Sequence, residues 1–496
     1  MNTVQIILIV LNILLFLNIM KWFYKLYYAK RYIKKWNEFK SARKHGEQVH
    51  IIIPVLDEVK RLRTTITKLQ KKLTNIKIII VTTEKEYEIM NLKQIRLDLL
   101  SCKKRLQVVS ILKHVNSHFD CDESEIAHID DFDLYRQAAV GLIDKCINTI
   151  DLANELKKEY DNIYVYHYQG AGNMSAQVNY AVQCYVKESE NQNPLFALYN
   201  ADSIIDQRTI DWVLTIIESN PNKSMIFQQY GHYTPISKRL SGKSRFVVRI
   251  LNAVGMWQTR WSLGYEMANA VEQFKNGCPV SNDYLVQKRK AVKFSYCIGH
   301  GLFFRYSVIK QVNWFSEKTH NEDMMMGLQV CSHNIPIIPI PFLEESESPG
   351  SVKAAYIQKS TWFFGPFEAF KYYKLISRDE SYGCYDRRKL FLYTILLFED
   401  SIRWIGVPIQ VACILLLSIF YLPFLLPLSI TLVFLYLPFL NYFANQQYKE
   451  KRLTLMLLPS LVFFMLHFLS AIRSMKNMLK LAILKVDYCK EKTPLD

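Results

Sequence analysis

The sequence predicts an α/β protein with a mostly parallel sheet, helices on both faces of that sheet, and transmembrane helices at both ends. Two observations support this prediction. Short apolar runs of strand length alternate with helical stretches in the middle of the chain, a pattern typical of parallel sheets covered on both faces. Long uncharged runs lie near both ends of the chain, and a helix needs about 20 apolar residues to cross a bilayer.

The N-terminal apolar run, residues 4–20, has no charged residue, and aromatic side chains follow from Trp22, where they favour the headgroup level. A signal peptide is the alternative, but a charged segment before the run and a small-residue cleavage site after it are both missing. We therefore predict a membrane anchor over residues 1–24. Residues 21–45 contain nine Lys or Arg and one acid. This basic segment, 25–47, predicts that the chain after the anchor lies in the cytosol.

Near the other end, no charged residue occurs between Arg403 and Lys449, which leaves room for two crossings with a turn at Pro423 and Pro427. A third apolar run covers residues 453–472.

Two crossings return the chain to the cytosol, whereas a third would place the basic tail, residues 476–496, outside, against the positive-inside rule. Either one apolar stretch lies in the membrane interface, or the segment from Leu390 onward helps to form another crossing. We predict that the membrane helices lie within residues 401–475.

The formal net charge of +17 has three interpretations: nucleic acid, anionic lipid or an anionic small substrate. Much of the positive charge lies beside the membrane segments, and no nucleic-acid motif accompanies it. We therefore expect membrane lipids and no nucleic acid as partners. The ten cysteines show no CxxC pair, which favours a reducing cytosol without a structural zinc.

Four apolar runs rich in β-branched or aromatic residues predict the strands of a cytosolic domain over residues 48–357. An acidic segment at about 117–137 interrupts the alternation, and we interpret it as a surface insertion, a loop followed by a helix. The four predicted strands are 49–54, 77–83, 162–168 and 195–200.

Polar residues follow each predicted strand, and ligands bind at the carboxyl ends of parallel strands. Carboxylates at this edge suit ribose and base donors, and glycines let the backbone approach a phosphate. Each acid alone is typical of a helix cap, so their order carries the argument. The strand ends carry Asp57 and Glu58, then Thr82 and Thr83, then the turn GAGN at 170–173, then Asn200 and Asp202.

Three further motifs follow: CIGHGLFFR at 297–305, HNEDMMMGLQV at 320–330 and QKSTWFFGP at 358–366. In this order the motifs resemble those of the membrane-bound family 2 glycosyltransferases, which include cellulose, chitin and hyaluronan synthases. The family pattern is P-x-x-N/D-E, D-x-D, a Gly-rich turn, T/E-E-D and Q-x-x-R-W, followed by transmembrane helices.

The resemblance covers about residues 48–366, and it implies a GT-A fold, a nucleotide-sugar donor, Mg²⁺ or Mn²⁺, and inversion at the anomeric carbon. It also implies interface helices over 358–400. Residue by residue it implies a general base, Asp323; donor-binding residues Asp57, Glu58, Thr82, Thr83, Asn200 and Asp202; a metal ligand, Asp202; and acceptor or diphosphate residues Glu322, Gln358 and Trp362.

An inverting displacement needs a carboxylate within hydrogen-bond reach of the acceptor hydroxyl. Asp323 begins a predicted helix, and Glu322 points about 100° away on that helix, so the two cannot share the task. Magnesium takes one or two carboxylates and completes its shell with phosphates and water. Asp202 can therefore suffice with Asn200 beside it, at the cost of weaker metal binding.

Some positions depart from the family pattern. Thr361 stands where Q-x-x-R-W has its arginine, which removes a strong phosphate donor, and Asn173 stands where the Gly-rich turn often has a lysine. Lys359 is one of the residues that can replace the lost charge. His300, between two glycines, has two interpretations: a structural histidine in a turn, or a ligand to the metal or a donor to the substrate.

We therefore predict an inverting glycosyltransferase of the hexosyltransferase class. We expect it to act at the cytosolic face of the plasma membrane, which is the inner membrane of a bacterium, and to serve surface polysaccharide synthesis. Its partners are a nucleotide sugar, a glycan or lipid-linked acceptor, membrane lipids and, where the product is exported, an export partner. Processive synthesis and single addition both remain open. The alternative is a non-catalytic membrane subunit that binds a partner synthase or a glycan.

Overall fold

The computed structural model describes residues 3–40, 46–89, 91–119, 123–170, 172–234, 242–273, 294–383, 385–446 and 457–484. Its contacts divide the chain into two compact units. The smaller unit is His45–Gln207, and the larger unit combines Met1–Lys44 with Arg208–Asp496. The domain limits inferred from the motifs follow other criteria and stay predictions.

The four predicted strands of the smaller unit all form. Strand β1 pairs in parallel with β2 on one side and with β4 on the other, and β2 pairs in parallel with β3. The side chains of Ile51, Ile52 and Ile53 are fully buried, so both faces of β1 are covered. The mostly parallel sheet predicted from the apolar runs is therefore confirmed. Its strands are β1 (Val49–Pro54), β2 (Ile76–Thr83), β3 (Ile163–Tyr168) and β4 (Leu195–Leu198).

The helices of the smaller unit form two groups. One group packs on the strands and consists of Val59–Lys72, Thr149–Glu159 and Met174–Glu188. The other group follows β2 in the chain after the short helix Lys85–Ile89, packs around an apolar cluster of its own, and consists of Leu92–Ser101, Arg105–His118 and Phe132–Asp144.

The acidic segment ends in the predicted helix, Phe132–Asp144, which has one exposed face, with Leu134 59% exposed, and one buried face. In helix 132–144, Tyr135 and Ala139 are fully buried, and the Arg105 guanidinium lies 4.1 Å from the centroid of the Tyr135 ring. Apolar residues at i, i+4 and i+7 form one inward face. The acidic composition of the segment hides this periodicity.

The larger unit contains short strands. Strand β5 pairs antiparallel with β7 and parallel with β8, and β6 pairs in parallel with β9. They are β5 (Ile226–Gln228), β6 (Gly231–Thr234), β7 (Leu302–Arg305), β8 (Ile337–Pro339) and β9 (Glu344–Glu347). Its helices outside the candidate membrane spans are Gln207–Glu218, Arg245–Trp261, a π-helical turn Ser262–Met267, Ala268–Gln273, Tyr306–Gln311, Glu322–Ser332, Val352–Phe367 and Ala369–Arg378.

Within the described residues, four helices are long and apolar enough to cross a membrane. The helix Arg387–Tyr421 is continuous, so the segment from Leu390 extends the first C-terminal helix and adds no crossing. The chain turns at Pro423–Leu425, as the prolines predict. The four candidate spans are Thr3–Trp36, Arg387–Tyr421, Pro423–Asn445 and Leu457–Lys480.

Helix 322–332 packs closely on the extended segment 294–299. A Cβ on Gly327 would lie 2.7 Å from the Tyr296 Cα and 2.7 Å from the Cys297 backbone nitrogen. The Cys331 thiol also donates to the Ser295 carbonyl at 3.3 Å. Backbone atoms cannot move aside as a flexible side chain can, so only glycine fits at residue 327.

We expect Gly327→Ala to destabilise the protein by about 1–3 kcal/mol, because the added methyl group overpacks a contact with backbone atoms. The measurement is thermal unfolding of the purified chain. Gly141→Ala is the matched control, since Gly141 lies in helix 132–144 with open space around its Cβ position. A melting temperature of Gly327→Ala equal to that of the parent would contradict the packing described.

Candidate active site

In the smaller unit, the turn after β1 holds Asp57 in an unusual backbone conformation. Its φ is 56°, which costs a non-glycine residue about 1–3 kcal/mol and is typical of functional sites. The Asp57 N–H donates to Glu86 Oε2 at 2.7 Å, and Asp57 Oδ2 lies 2.7 Å from His118 Nδ1. Asp57 is therefore held through both its backbone N–H and its carboxyl group.

Glu86 connects this turn to the start of helix 149–159. Its Oε1 accepts from the Thr149 N–H at 3.0 Å and from the Thr149 hydroxyl at 2.5 Å. The Glu58 N–H donates to the same hydroxyl oxygen at 3.1 Å. Glu86 and His118 thus hold the predicted donor-binding turn in place, although neither residue belongs to a sequence motif.

The two threonines at the end of β2 bind neighbouring protein groups. Thr82 Oγ1 lies 3.0 Å from His167 Nδ1, and the Thr83 hydroxyl donates to the Gly170 carbonyl at 3.0 Å. Both threonines are buried. These hydroxyls link β2 to the end of β3, and their role in reading a nucleotide base stays a prediction.

The turn after β4 carries Asn200 and Asp202. The Asn200 N–H donates to the Ser203 hydroxyl at 3.2 Å, and Asp202 Oδ2 lies 3.7 Å from an Arg61 guanidinium nitrogen. The Asp202 side chain is 25% exposed, so its carboxylate is accessible. One accessible carboxylate fits a Mg²⁺ ion that takes its remaining ligands from phosphates and water. No group of three metal-ligating side chains occurs among the residues that the structure describes.

In the larger unit, Asp323 lies in the first turn of helix 322–332, as predicted. Its Oδ2 accepts from the Gly299 N–H at 2.8 Å, and its Oδ1 accepts from the Met324 N–H at 2.8 Å. Glu322 is 2% exposed, whereas Asp323 is half-buried. The two acids therefore differ in accessibility, in line with their different directions on the helix.

The turn 299–301 brings His300 to a carboxylate. His300 Nδ1 lies 2.9 Å from Oε2 of Glu344, which is 1% exposed. Gly301 has a φ of 64°, and a Cβ there would approach Gln229 within 3.0 Å. The contact between His300 and Glu344 is what a structural histidine in a turn predicts. A role of His300 as a metal ligand stays a prediction.

Helix 352–367 carries the Q-x-x-x-W motif and contacts the start of helix 322–332. The Asn321 amide donates to the Trp362 carbonyl at 3.4 Å, which brings the tryptophan backbone close to the residues that precede Asp323. Gln358 Oε1 accepts from the Gln258 amide at 2.6 Å. The structure therefore links the predicted acceptor residues to the segment of the predicted base.

Lys359, considered as a replacement for the missing arginine, is buried in an aromatic environment. Its Nζ lies 3.9 Å from the centroid of the Trp362 ring and 4.8 Å from that of Trp257. It has no hydrogen-bond partner among the described residues. Burial lowers the pKa of Lys359 well below its ordinary value, and Glu266 opposes this shift.

Glu266 is a site residue that the motifs do not reveal. It lies in the π-helical turn 262–267, an irregularity that is frequent at functional sites. Its Oε1 accepts from the Tyr296 hydroxyl at 3.1 Å, and burial raises the pKa of Glu266 to about 7. The charges of His300 and Lys359 oppose this rise, and Asp323 adds to it. The only sequence signal was a single acid in an apolar stretch.

Of the predicted site residues, the larger unit gathers Asp323, Trp362 and the turn of His300, and the smaller unit carries Asp57, Glu58, Thr82, Thr83, Asn200 and Asp202 at the ends of its strands.

Comparison with known proteins gives one family match. Residues 260–469 match the model of glycosyl transferase family group 2. The match covers less than half of the chain, and it includes Glu266, His300, Asp323, Gln358 and Trp362. It does not include the smaller unit. No curated protein matches the chain.

The chain is also similar to solved structures. A mannosyltransferase from Pyrobaculum calidifontis in complex with GDP-Man and Mn²⁺ shares 8% identity over 95% of this chain and 99% of its own, with a TM-score of 0.41. S. aureus TarS 1–349 in complex with UDP-GlcNAc shares 10% identity over 81% of this chain and 93% of its own, with a TM-score of 0.32. Because both TM-scores are below 0.5, neither likeness supports a statement about this chain.

The raised pKa of Glu266 predicts a loss of stability as the pH rises. The carboxyl group of the unfolded chain ionises near 4.5, whereas the folded one stays neutral up to about 7. The free energy of unfolding therefore falls across this window and is level above it. We expect Glu266→Gln, which cannot ionise, to reduce the fall in melting temperature between pH 5 and pH 7.

Glu345→Gln is the control for this measurement. Glu345 is exposed, and its substitution removes the same charge as Glu266→Gln. It is expected to keep the pH dependence of the parent. If Glu266→Gln also kept that dependence, the buried environment of Glu266 would be refuted.

Proposed function

We propose that the chain is an inverting glycosyltransferase that moves a hexosyl group from a nucleotide sugar to a polysaccharide or lipid-linked acceptor at the cytosolic face of the membrane. The observation that supports this most is the position of Asp323. Its carboxylate is held by two backbone N–H groups at the start of a helix, within the part of the chain that matches the glycosyltransferase family.

The proposed role of Asp323 is that of a general base. A base must keep a fixed direction towards the acceptor hydroxyl, and the Gly299 and Met324 N–H groups provide this by binding one oxygen each. A carboxylate oxygen has more than one lone pair, so each can still accept a proton or a further hydrogen bond. The proton from the acceptor moves to Asp323 as the new glycosidic bond forms and the bond to the diphosphate breaks.

Glu266 and Trp362 have supporting roles in this proposal. With its pKa near 7, Glu266 carries less negative charge than an ordinary glutamate, which limits its repulsion of Asp323. The Trp362 ring offers a flat surface against which a sugar can pack. The Lys359 Nζ packs 3.9 Å from the centroid of that ring, so its buried position has a structural effect whether or not it contacts a phosphate.

Asp202 is the residue that would hold Mg²⁺ or Mn²⁺ in this proposal. A divalent cation, when bound, neutralises the charge that develops on the leaving diphosphate. The Arg61 guanidinium beside Asp202 keeps the carboxylate in position and contributes positive charge of its own.

The membrane setting is also part of the proposal. The basic segment after the first candidate span favours a cytosolic location for the enzymatic part, where nucleotide sugars are made. We propose the plasma membrane, the inner membrane of a bacterium, as its location and surface polysaccharide synthesis as its role.

We expect Asp323→Asn to lower nucleotide-sugar turnover by about 10²–10⁴-fold, because asparagine keeps the shape but cannot accept the proton. The measurement is release of nucleoside diphosphate by membranes that contain the intact chain, with the products separated by size. Size distinguishes polymer from single addition.

Asp386→Asn is the matched control for this experiment. Asp386 also accepts two backbone N–H groups at the start of a helix, those of Arg388 and Lys389, but it lies in no motif. Equal loss of turnover in both variants would assign Asp323 a capping role and remove the proposed base.

We expect Asp202→Asn to raise the Mn²⁺ concentration that gives half-maximal turnover by about tenfold or more, because a neutral amide is a weaker ligand than a carboxylate. The measurement is a metal titration of turnover, with Asp161→Asn as the control because Asp161 is exposed. A metal requirement unchanged by Asp202→Asn would exclude Asp202 as the ligand.

The second candidate function is a non-catalytic membrane subunit that binds a partner synthase or a glycan. The contacts of Thr82 and Thr83 with neighbouring protein groups favour it, since these positions then stabilise the fold. Normal folding, no turnover of any donor and co-purification of a synthase would support this candidate.

A further inference from the structure

A cleft opens between helices of the larger unit. It is lined by parts of all four candidate membrane spans, of the helix Arg245–Trp261 and of the π-helical turn that follows it. Cationic side chains gather at one end, and apolar side chains form the rest of the wall. The cationic residues are Lys21, Lys25 and Arg403, and the apolar wall includes Val407, Pro408 and Phe464.

Two of the three cations in the cleft contact neighbouring side chains. Arg403 contacts Glu399 at 2.5 Å and Asp400 at 3.8 Å. Lys25 Nζ donates to the neutral Asn269 side chain at 2.6 Å and lies 4.8 Å from the Tyr265 ring centroid.

Lys21 is exposed, and Glu399 and Asp400 also act on it electrostatically. Among the described residues that line the cleft, three are cations and none is a carboxylate. The cleft favours an anion.

The cationic end of the cleft lies where the apolar parts of two candidate spans, Thr3–Trp36 and Arg387–Tyr421, give way to charged residues. Lys21 is the first charged residue after the apolar run 4–20, and Arg403 is the last charged residue before the uncharged stretch that ends at Lys449. The Gln410 amide donates to the Leu11 carbonyl at 2.9 Å, so the apolar parts of these two helices lie side by side. The change from apolar to charged occurs at the same level in both helices, which corresponds to the headgroup level of a bilayer.

Indole rings line the cleft between its charged and apolar parts. Trp257 and Trp261 stack with ring centroids 5.4 Å apart, and Trp404 stacks on His467 at 4.1 Å. Tryptophan favours the boundary between headgroups and hydrocarbon. These rings give a flat apolar surface directly beside the cations.

We propose that this cleft binds a membrane lipid through its phosphate headgroup. The phosphate lies among Lys21, Lys25 and Arg403, and the hydrocarbon tail runs along Val407, Pro408 and Phe464. Basic pockets between membrane helices are known to recognise lipid headgroups in this way. A free phosphate would use the cations alone, whereas the continuous apolar wall fits a ligand that also has a tail. This lipid site is independent of sugar transfer.

The test uses the intact chain in phosphatidylcholine nanodiscs without a sugar donor, so its result does not depend on the proposed enzymatic function. Phosphatidic acid with brominated acyl chains is titrated in, and quenching of tryptophan fluorescence is measured, because bromine quenches indoles that it contacts. Brominated phosphatidylcholine with the same chains measures contact that does not depend on the headgroup.

We expect stronger quenching by the brominated phosphatidic acid, and Lys21→Gln raises the amount needed for half-maximal quenching about fivefold. Lys34→Gln is the matched control, because Lys34 is an exposed lysine of the same helix about 20 Å further along the axis. It leaves the titration unchanged. Val407→Phe, which fills the apolar wall, keeps every charge and adds no indole, also weakens the quenching.

Three results would overturn the proposal. Equal quenching by the two brominated lipids would show ordinary contact with the surrounding bilayer. An equal effect of Lys34→Gln would show attraction to the basic helix as a whole. Displacement of the brominated lipid by inorganic phosphate would show a site for a free anion.

Discussion

The close packing of helix 322–332 on segment 294–299 is the constraint on which the proposed site depends. Because Gly327 lets the helix meet the backbone of Tyr296 and Cys297, the start of the helix arrives beside the turn that begins at Gly299. The Gly299 N–H then meets Asp323 at 2.8 Å. A longer distance between the two segments would leave both the N–H and the carboxylate without this contact.

The same arrangement determines the electrostatics around Asp323. The turn places His300 against Glu344, and segment 294–299 places Tyr296 against Glu266. Ionisable groups thus share a small, partly dry volume, in which interactions between charges are stronger than in water. The high pKa of Glu266 follows mainly from its burial in this volume, and the negative charge of Asp323 adds to the rise.

Much of the fold was predictable from the sequence, because the signals for it are local. The apolar runs of β1 to β4 and the uncharged membrane segments each report their own burial, and a buried parallel strand requires such a run. The helix that begins at Asp323 is likewise local. Residues whose roles come from distant partners were missed: Glu86 contacts Thr149, 63 residues away, and His118 contacts Asp57, 61 residues away. No pattern in the neighbouring sequence indicates either contact.

The measurement that tests the central claim most directly is the anomeric configuration of the product, determined by NMR after incubation of the purified chain with a panel of nucleotide sugars and an acceptor. A single displacement with Asp323 as base predicts that the anomeric configuration of the product is opposite to that of the donor. Retention of the donor configuration would contradict this account, because it requires two displacements or a different site.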